Sequence, residues 1–162
     1  MQLAIISDTH LPSGARTIPH ACLERCAAAD AVLHAGDLAD LSVLDVLREL
    51  GPPVHAIHGN VDSEAVRRLL PARSRLTFDD VRIGMTHSPG PASGRLARLR
   101  ADFPNCDAVI FGHTHMPQHD ELDGFQIFNP GSPTERRRAP VHTMGIATID
   151  GPRIAFELLV VG

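Results

Sequence analysis

Two histidines separated by one residue lie in the segment Phe111-Gly112-His113-Thr114-His115, directly after an apolar run that begins at Ala108. The run predicts a short buried strand, and residues i and i+2 of an extended chain project to the same face. Both imidazoles are therefore expected to reach one point beyond the strand end. Neutral imidazole is the commonest metal ligand in proteins, so this spacing indicates a metal site. A single His-x-His pair is weak support, because surface histidines are ordinary.

Four other predicted strands also end in side chains that can bind metal. These residues are Asp8 and His10 after the first strand, Asp37 after the second, Asn60 after the third and His87 after the fourth. Glycine precedes a candidate ligand at Gly36, Gly59 and Gly112, where it would let the backbone turn sharply and approach a site closely. In open α/β sheets, ligands bind beyond the carboxyl ends of the strands. We therefore expect all these side chains to converge.

Seven candidate ligands exceed the roughly four that one zinc ion takes, and they fit two ions that share a bridging carboxylate. Two ions held roughly 3.5–4 Å apart clamp an in-line displacement at phosphorus. The nitrogen and oxygen donors, without a thiolate, favour Mn, Fe, Co, Ni or Zn. Each motif alone is common in loops. The stronger signal is their joint occurrence, in order, at five predicted strand ends.

Helices and strands alternate along most of the chain, and a strand-rich tail follows. The predicted helices cover residues 19–29, 41–50, 63–70 and 93–103. The predicted strands cover residues 2–7, 54–57, 75–78, 81–85, 108–111, 125–128, 144–149 and 154–161, and one more begins at residue 31. This order predicts an α/β fold with a core sheet, a second sheet from the tail and helices outside. We expect residues 1–162 to form a single domain.

Composition narrows the class of protein. The chain has 162 residues, is 43% hydrophobic and has a formal net charge of −4, without Trp or Tyr. This argues against disorder and against a nucleic-acid or membrane-surface binder, so nucleic acid is expected only as a substrate. The first residues lack a signal-peptide pattern, no apolar run could span a bilayer, and three cysteines fit a reducing compartment. We therefore expect a cytoplasmic protein.

The strand-end motifs, taken together, resemble the signature blocks of calcineurin-like metallophosphoesterases. The blocks are Asp8-Thr9-His10, Gly36-Asp37, Gly59-Asn60-Val61-Asp62, Thr86-His87 and Gly112-His113-Thr114-His115. Asn129-Pro130-Gly131-Ser132 is similar to a further block of the small bacterial and archaeal phosphodiesterases, the YfcE-like group. The resemblance runs from Asp8 to Ser132, most of the chain.

This resemblance implies a four-layer α/β/β/α sandwich and a dinuclear metal centre. Carried over position by position, one ion would be held by Asp8, His10 and His115, the other by Asn60, His87 and His113, with Asp37 bridging them. The two divalent ions, with Mn favoured and Ni, Fe, Co or Zn as alternatives, would provide a hydroxide for in-line attack on phosphorus. The implied activity is metal-dependent hydrolysis of a small phosphoester, with a phosphodiester favoured.

One position departs from the wider superfamily. Many members carry a histidine where this chain has Val61, and that histidine is thought to protonate the leaving group, a role worth about 10²–10⁴-fold. The YfcE-like group shares its absence. His58 is a candidate replacement, although a partly exposed strand-end histidine has the same pattern. Asp62 is a candidate for orienting the loop around Asn60, or for capping the helix that begins at Ser63.

Several alternatives stay open at this stage. The protein could be a phosphomonoesterase of the same fold, or a non-enzymatic interaction scaffold that retains a metal site, as a eukaryotic retromer subunit of similar fold has become. His34 could support a ligand or simply pack in the core. The basic run Arg136–Arg138 could bind a substrate phosphate or form a solvated loop. A homo-oligomer is also compatible with the sequence.

Overall fold

Two five-stranded sheets and four helices make up the fold in the computed structural model, which describes residues 1–162. The strands are β1 (Gln2–Ile6), β2 (Ala31–His34), β3 (Val54–Ala56), β4 (Arg73–Phe78), β5 (Val81–Thr86), β6 (Ala108–Ile110), β7 (Gln118–Leu122), β8 (Phe125–Asn129), β9 (Thr143–Asp150) and β10 (Arg153–Val160). The helices are α1 (His20–Ala28), α2 (Ser42–Glu49), α3 (Glu64–Leu69) and α4 (Arg95–Asp102). None of these helices has the length and apolarity that a membrane crossing requires.

The first sheet has the strand order β10-β9-β1-β2-β3, and the second has the order β4-β5-β6-β8-β7. Strands β1, β2 and β3 are parallel, with Leu3 opposite Ala31 and Val32 opposite Val54. In the second sheet β5, β6 and β8 are parallel, and the two edge strands run antiparallel to them. Parallel neighbours end at the same edge of a sheet, so the loops that follow them meet there.

The origin of the second sheet differs from the sequence-based expectation. The prediction that the tail builds it holds only for β7 and β8, because β9 and β10 extend the first sheet, with β9 antiparallel to β1. Strands β4, β5 and β6, from the middle of the chain, complete the second sheet. Alternation and apolar runs show that a segment is a strand, but strand pairing depends on contacts between residues distant in sequence.

Strand β7 was also not predicted as a separate strand. It carries the polar sequence Gln118-His119-Asp120-Glu121-Leu122, is largely exposed and forms one edge of the second sheet. Charged residues on an edge strand oppose pairing with other chains, and they also remove the apolar alternation that would reveal a strand.

Three apolar clusters separate the layers. The largest lies between the sheets and includes Ile5 of β1 and Ile83 of β5. A second packs the first three helices onto the outer face of the first sheet through residues such as Leu44 of α2. The third packs α4 onto the outer face of the second sheet through Leu99. The order of layers is helices, sheet, sheet, helix, which confirms the predicted α/β/β/α sandwich.

Candidate metal centre

The candidate ligands follow strands of both sheets. Strands β1, β2 and β3 of the first sheet lead to Asp8, Asp37 and Asn60, and strands β5 and β6 of the second lead to His87 and His113. The site therefore spans the shared end of two stacked sheets and does not lie along the edge of one open sheet.

One cluster, the Asp8 cluster, consists of Asp8, His10 and His115, whose ligand atoms all lie within 4.8 Å of one another. The Nε2 atom of His115 lies 3.3 Å from Oδ1 of Asp8 and 3.2 Å from Nε2 of His10. Both Asp8 and His115 are fully buried. Three donor atoms thus converge on one small volume from the loops after β1 and β6.

The second cluster, the Asp37 cluster, consists of Asp37, His87 and His113, again with ligand atoms within 4.8 Å of one another. Asn60 adjoins it, with Oδ1 2.9 Å from Nδ1 of His113. The side chains of the two histidines two residues apart, His113 and His115, therefore belong to different clusters. This is the division that the family resemblance implies.

Asp37 lies at the junction of the two clusters. Its Oδ2 atom is 3.1 Å from Nε2 of His87 and 3.5 Å from Nε2 of His10, one imidazole from each cluster. Its Oδ1 atom accepts a hydrogen bond from the Val61 amide at 3.0 Å. Burial alone would raise the pKa of Asp37, but His87 and the Val61 amide outweigh it and lower that pKa to about 2. Asp37 is thus a carboxylate at neutral pH.

The backbone at the site is mostly left-handed. The five residues concerned are Asp8 (φ 56°), His10 (φ 47°), Asp37 (φ 57°), His113 (φ 69°) and His115 (φ 58°). The expectation that His113 and His115 lie in extended backbone is therefore wrong, because strand β6 ends at Ile110, before both residues. Positive φ is uncommon for residues other than glycine and often marks functional sites.

Glycines let the loops approach the site without collision. A Cβ atom at Gly59 would overlap Oδ1 of Asp37, and one at Gly112 would overlap the Ser7 hydroxyl and approach Asp8. Neither glycine has a positive φ, so close approach rather than an unusual backbone angle requires it. The close approach predicted for the glycines before Asn60 and His113 is therefore confirmed.

The tautomers of two histidines fit metal binding. Nδ1 of His87 donates to the carbonyl of Ala35 at 2.8 Å, and Nδ1 of His115 donates to the carbonyl of Glu135. In each ring Nε2 then carries the free lone pair and lies near a carboxylate. Nε2 of His87 is buried and has no hydrogen-bond partner, although it lies 3.1 Å from Oδ2 of Asp37. An orphaned lone pair beside a carboxylate is a suitable donor for a divalent cation.

The pKa values of His87 and His115 are shifted in opposite directions. Burial would lower the pKa of His87, but the neighbouring carboxylates Asp37 and Asp8 outweigh it and raise that pKa. For His115, burial prevails over Asp8 and lowers the pKa.

His34 supports loops and contacts no candidate ligand side chain through a hydrogen bond. It is fully buried, its Nδ1 accepts from the Gly36 amide at 3.2 Å, and its Nε2 lies 3.1 Å from the Thr9 hydroxyl. Burial lowers the pKa of His34 to about 4, so the ring is neutral at pH 7.

Asp62 is also buried and accepts three backbone hydrogen bonds. Its donors are the amides of Asp37 (3.1 Å), Ala39 (2.6 Å) and Gly59 (2.6 Å), so one carboxylate ties the loops after β2 and β3 together. The cap of α3 is Ser63, whose hydroxyl accepts from the Val66 amide at 3.4 Å. Of the two roles considered for Asp62, the contacts correspond to loop orientation.

His58 is half-buried and lines a polar cleft of about 290 Å³ together with Asn60, His87 and Arg73. Its Nδ1 lies 3.1 Å from the carbonyl oxygen of Gly59.

The basic run lies at the surface. Its three side chains are exposed, and Arg136 donates to the Ala139 carbonyl at 2.8 Å. These positions match the solvated-loop interpretation of the run, and none of its guanidinium groups hydrogen-bonds to a candidate ligand.

Residues from the end of β8 onward contribute contacts that the sequence did not assign. Asn129 donates from Nδ2 to the Gly112 carbonyl and the Thr114 hydroxyl, each at 3.0 Å, and the Ser132 hydroxyl donates to the Asp8 carbonyl at 2.7 Å. The Asn129–Ser132 block was recognised only through the family resemblance. Glu135, which directly precedes the basic run Arg136–Arg138, has no signal in the sequence.

Similarity to known proteins agrees with this architecture. A protein named probable metallophosphoesterase from Methanothermobacter thermautotrophicus is 34% identical over 165 residues, covering 100% of this chain and 94% of its own length. A protein named phosphodiesterase from Methanocaldococcus jannaschii is 27% identical over 144 residues, covering 81% and 83% of the two chains. Wild-type Vps29 from Entamoeba histolytica, described as complexed with Zn²⁺, shares the fold, with a TM-score of 0.79, 24% identity and full coverage of both chains.

The family itself follows from the match to a domain model. Residues 1–151 match the model of the calcineurin-like phosphoesterase superfamily domain, which is most of the chain. The match includes all the strand-end motifs and the Asn129–Ser132 block. The chain therefore belongs to the calcineurin-like phosphoesterase superfamily.

Proposed function

We propose that this protein is a dinuclear metal-dependent phosphodiesterase. The observation that carries the proposal is the position of Asp37 Oδ2 between the two clusters, 3.1 Å from His87 Nε2 and 3.5 Å from His10 Nε2. One carboxylate oxygen that faces a histidine of each cluster suits a bridge between two cations. The name of the Methanocaldococcus jannaschii relative supports hydrolysis of a diester over a monoester.

The proposed ligands divide between the two cations. Asp8, His10 and His115 would hold one ion, Asn60, His87 and His113 the other, and Asp37 both. When bound, two divalent ions would supply Lewis-acid activation of water and of the phosphoryl oxygens at neutral pH. The mixed nitrogen and oxygen donors suit Mn²⁺, which we favour, and also Ni²⁺, Fe²⁺, Co²⁺ or Zn²⁺.

Two neighbouring residues serve these ligands in the proposal. His58 would hold the proton for the leaving oxygen, since it lines the cleft beside Asn60 and its Nδ1 is engaged by the Gly59 carbonyl, which leaves Nε2 to exchange a proton. Val61 cannot take this role, because its exposed side chain has no titratable group. Asp62 would be a positioning residue that fixes Asp37 through backbone amides.

The test of the activity is hydrolysis of bis(p-nitrophenyl) phosphate. Chelator-treated protein should be inactive, and activity should return with Mn²⁺ or another of the divalent ions named above. The rate on p-nitrophenyl phosphate should be lower; a higher rate would identify a phosphomonoesterase. Tight metal binding without turnover on any phosphoester would instead identify an interaction scaffold and contradict the proposal.

The bridging role of Asp37 predicts that the Asp37→Asn variant loses metal binding and activity together. Removal of a residue that hydrogen-bonds to a metal ligand typically costs about 10–100-fold in metal affinity, so loss of the charge of a ligand itself should cost more than about 100-fold. Metal content after dialysis and turnover should fall together. Asp123→Asn, at an exposed carboxylate paired with Arg100, is the matched control. An active Asp37→Asn protein with full metal content would refute the bridge.

The cellular setting is part of the same proposal. All three cysteines are free, with Cys22 and Cys26 buried one helical turn apart, which fits the reducing cytoplasm. The substrate would be a small phosphodiester that enters through the cleft beside Asn60.

A further inference from the structure

The segment from Ser132 to Glu135 contacts all three residues of the Asp8 cluster. The Ser132 hydroxyl donates to the Asp8 carbonyl at 2.7 Å and accepts from the Glu135 amide at 2.8 Å. The Glu135 carbonyl accepts from Nδ1 of His115. The Glu135 carboxylate lies 3.6 Å from Nδ1 of His10. One residue thus reaches two imidazoles, one through its main chain and one through its side chain.

The position of the Glu135 carboxylate bears on the tautomer of His10. A carboxylate beside Nδ1 favours a proton on that nitrogen and leaves the lone pair of Nε2 free, and Nε2 is the atom that faces the cluster. Arg16 lies 3.8 Å from the other carboxylate oxygen of Glu135. One oxygen of Glu135 is therefore beside a cation and the other is beside a candidate ligand.

Different groups support the Asp37 cluster. The carboxylate of Asp62 fixes the Asp37 amide, and the Ala35 carbonyl fixes the ring of His87. Glu135 forms no hydrogen bond or ion pair with Asp37, His87 or His113. A change at Glu135 should therefore act on one cluster and spare the other.

We infer that Glu135 is a positioning residue for the Asp8 cluster, where it sets the affinity for one of the two cations by orienting His10. The inference rests on the proposed dinuclear function and deepens it. It predicts that the two cation sites can be weakened independently. Partners of this kind contribute typically about 10–100-fold to metal affinity.

The test is calorimetric titration of Mn²⁺ into the chelator-treated full chain. Wild-type protein should take up two equivalents. In Glu135→Ala, one equivalent should weaken by about 10–100-fold while the other keeps its affinity. Glu135→Gln keeps an acceptor oxygen and should weaken that equivalent less. Glu24→Ala is the matched control, since Glu24 lies 3.5 Å from Nδ1 of the exposed His20 in α1.

Imidazole ¹⁵N spectra of the metal-free protein give a second readout that needs no turnover. In Glu135→Ala the Nδ1–H tautomer of His10 should lose its dominance, whereas His115 should keep it, because its partner is a main-chain carbonyl. Equal weakening of both equivalents, unchanged affinity of both, or an unchanged His10 tautomer would overturn the inference.

Failure of the proposed function and failure of the inference about Glu135 would give different titration results. Wild-type protein that binds fewer than two equivalents would remove the dinuclear centre and, with it, the role assigned to Glu135. If wild-type protein binds two equivalents and Glu135→Ala binds both with wild-type affinity, only the inference about Glu135 is refuted. Equal melting temperatures for both Glu135 variants and wild type would show that the effect on affinity is local.

Discussion

At the residue scale, the surroundings of Asn60 bear on which phosphoesters the proposed phosphodiesterase would cleave. Val61 leaves the position of the usual proton donor without a titratable group, while His58 lines the adjoining cleft with Arg73. Expulsion of a basic alkoxide needs a proton in the transition state, whereas p-nitrophenolate leaves without one. The chemistry open to the protein therefore depends on whether His58 delivers that proton.

The variant His58→Ala should separate these cases. We expect less than a few-fold loss of kcat/KM on bis(p-nitrophenyl) phosphate and a loss of about 100-fold or more on diphenyl phosphate, whose leaving group is more basic. His20→Ala, on the exposed surface of α1, should change neither rate. Equal losses on both substrates would reject His58 as the proton donor.

At the scale of secondary-structure elements, loops rather than strands shape the site. Each strand delivers its loop to the shared end of the sheets, and the loop then turns through left-handed residues such as Asp37 and His113. The loops after β2 and β3 are joined by Asp62, and Gly59 passes against the Asp37 carboxylate. These contacts hold Asp37 at the junction of the two clusters.

The variant Gly59→Ala tests this packing. The added Cβ would overlap Oδ1 and approach the amide of Asp37, so either residue must move. Overpacking of this kind typically costs about 1–3 kcal/mol, and we expect a lower melting temperature together with weaker Mn²⁺ binding. Gly162→Ala, where the nearest atom lies 3.6 Å away, should alter neither property. Wild-type Mn²⁺ affinity in Gly59→Ala would contradict the close approach.

At the scale of the whole molecule, the two sheets must stack before the site exists. Asp8 and Asp37 come from the first sheet and His87 and His113 from the second, and the apolar cluster between the sheets joins them. Separation of the sheets would therefore move the residues of both clusters apart at the same time. We propose that residues 1–162 are one domain in which metal binding and stacking of the sheets are coupled.

Thermal unfolding measures this coupling. We expect one cooperative transition, with the same midpoint temperature by circular dichroism and by calorimetry. Addition of Mn²⁺ should raise this midpoint, and chelator should lower it. A ligand that binds only the folded state at 100 times its Kd stabilises by about 2.7 kcal/mol. Two separate transitions, or a midpoint that does not respond to Mn²⁺, would contradict a single coupled domain.

The sequence predicted where the buried strands end better than how the strands pair into sheets. The buried strands before Asp8, Asp37 and His113 were recognisable because a short apolar run that stops at a polar group is a local pattern. The polar edge strand β7 and the pairing of β9 with β1 were not. Strand β7 lacks an apolar pattern, and the pairing of β9 with β1 depends on residues that are 140 or more positions apart in the sequence.

Residue types and their spacing were enough to identify the candidate ligands, their order along the chain and the superfamily, because both are local properties that relatives share. The family resemblance also implied how these ligands divide between two ions, but the distances between them and the residues that support them come from the fold. His115 lies beside Asp8, His113 lies near Asp37, and Glu135, which has no signal in the sequence, contacts His10 and His115. The physical reason is that left-handed turns and the stacking of two sheets set the directions of these side chains, and both arise from long-range packing.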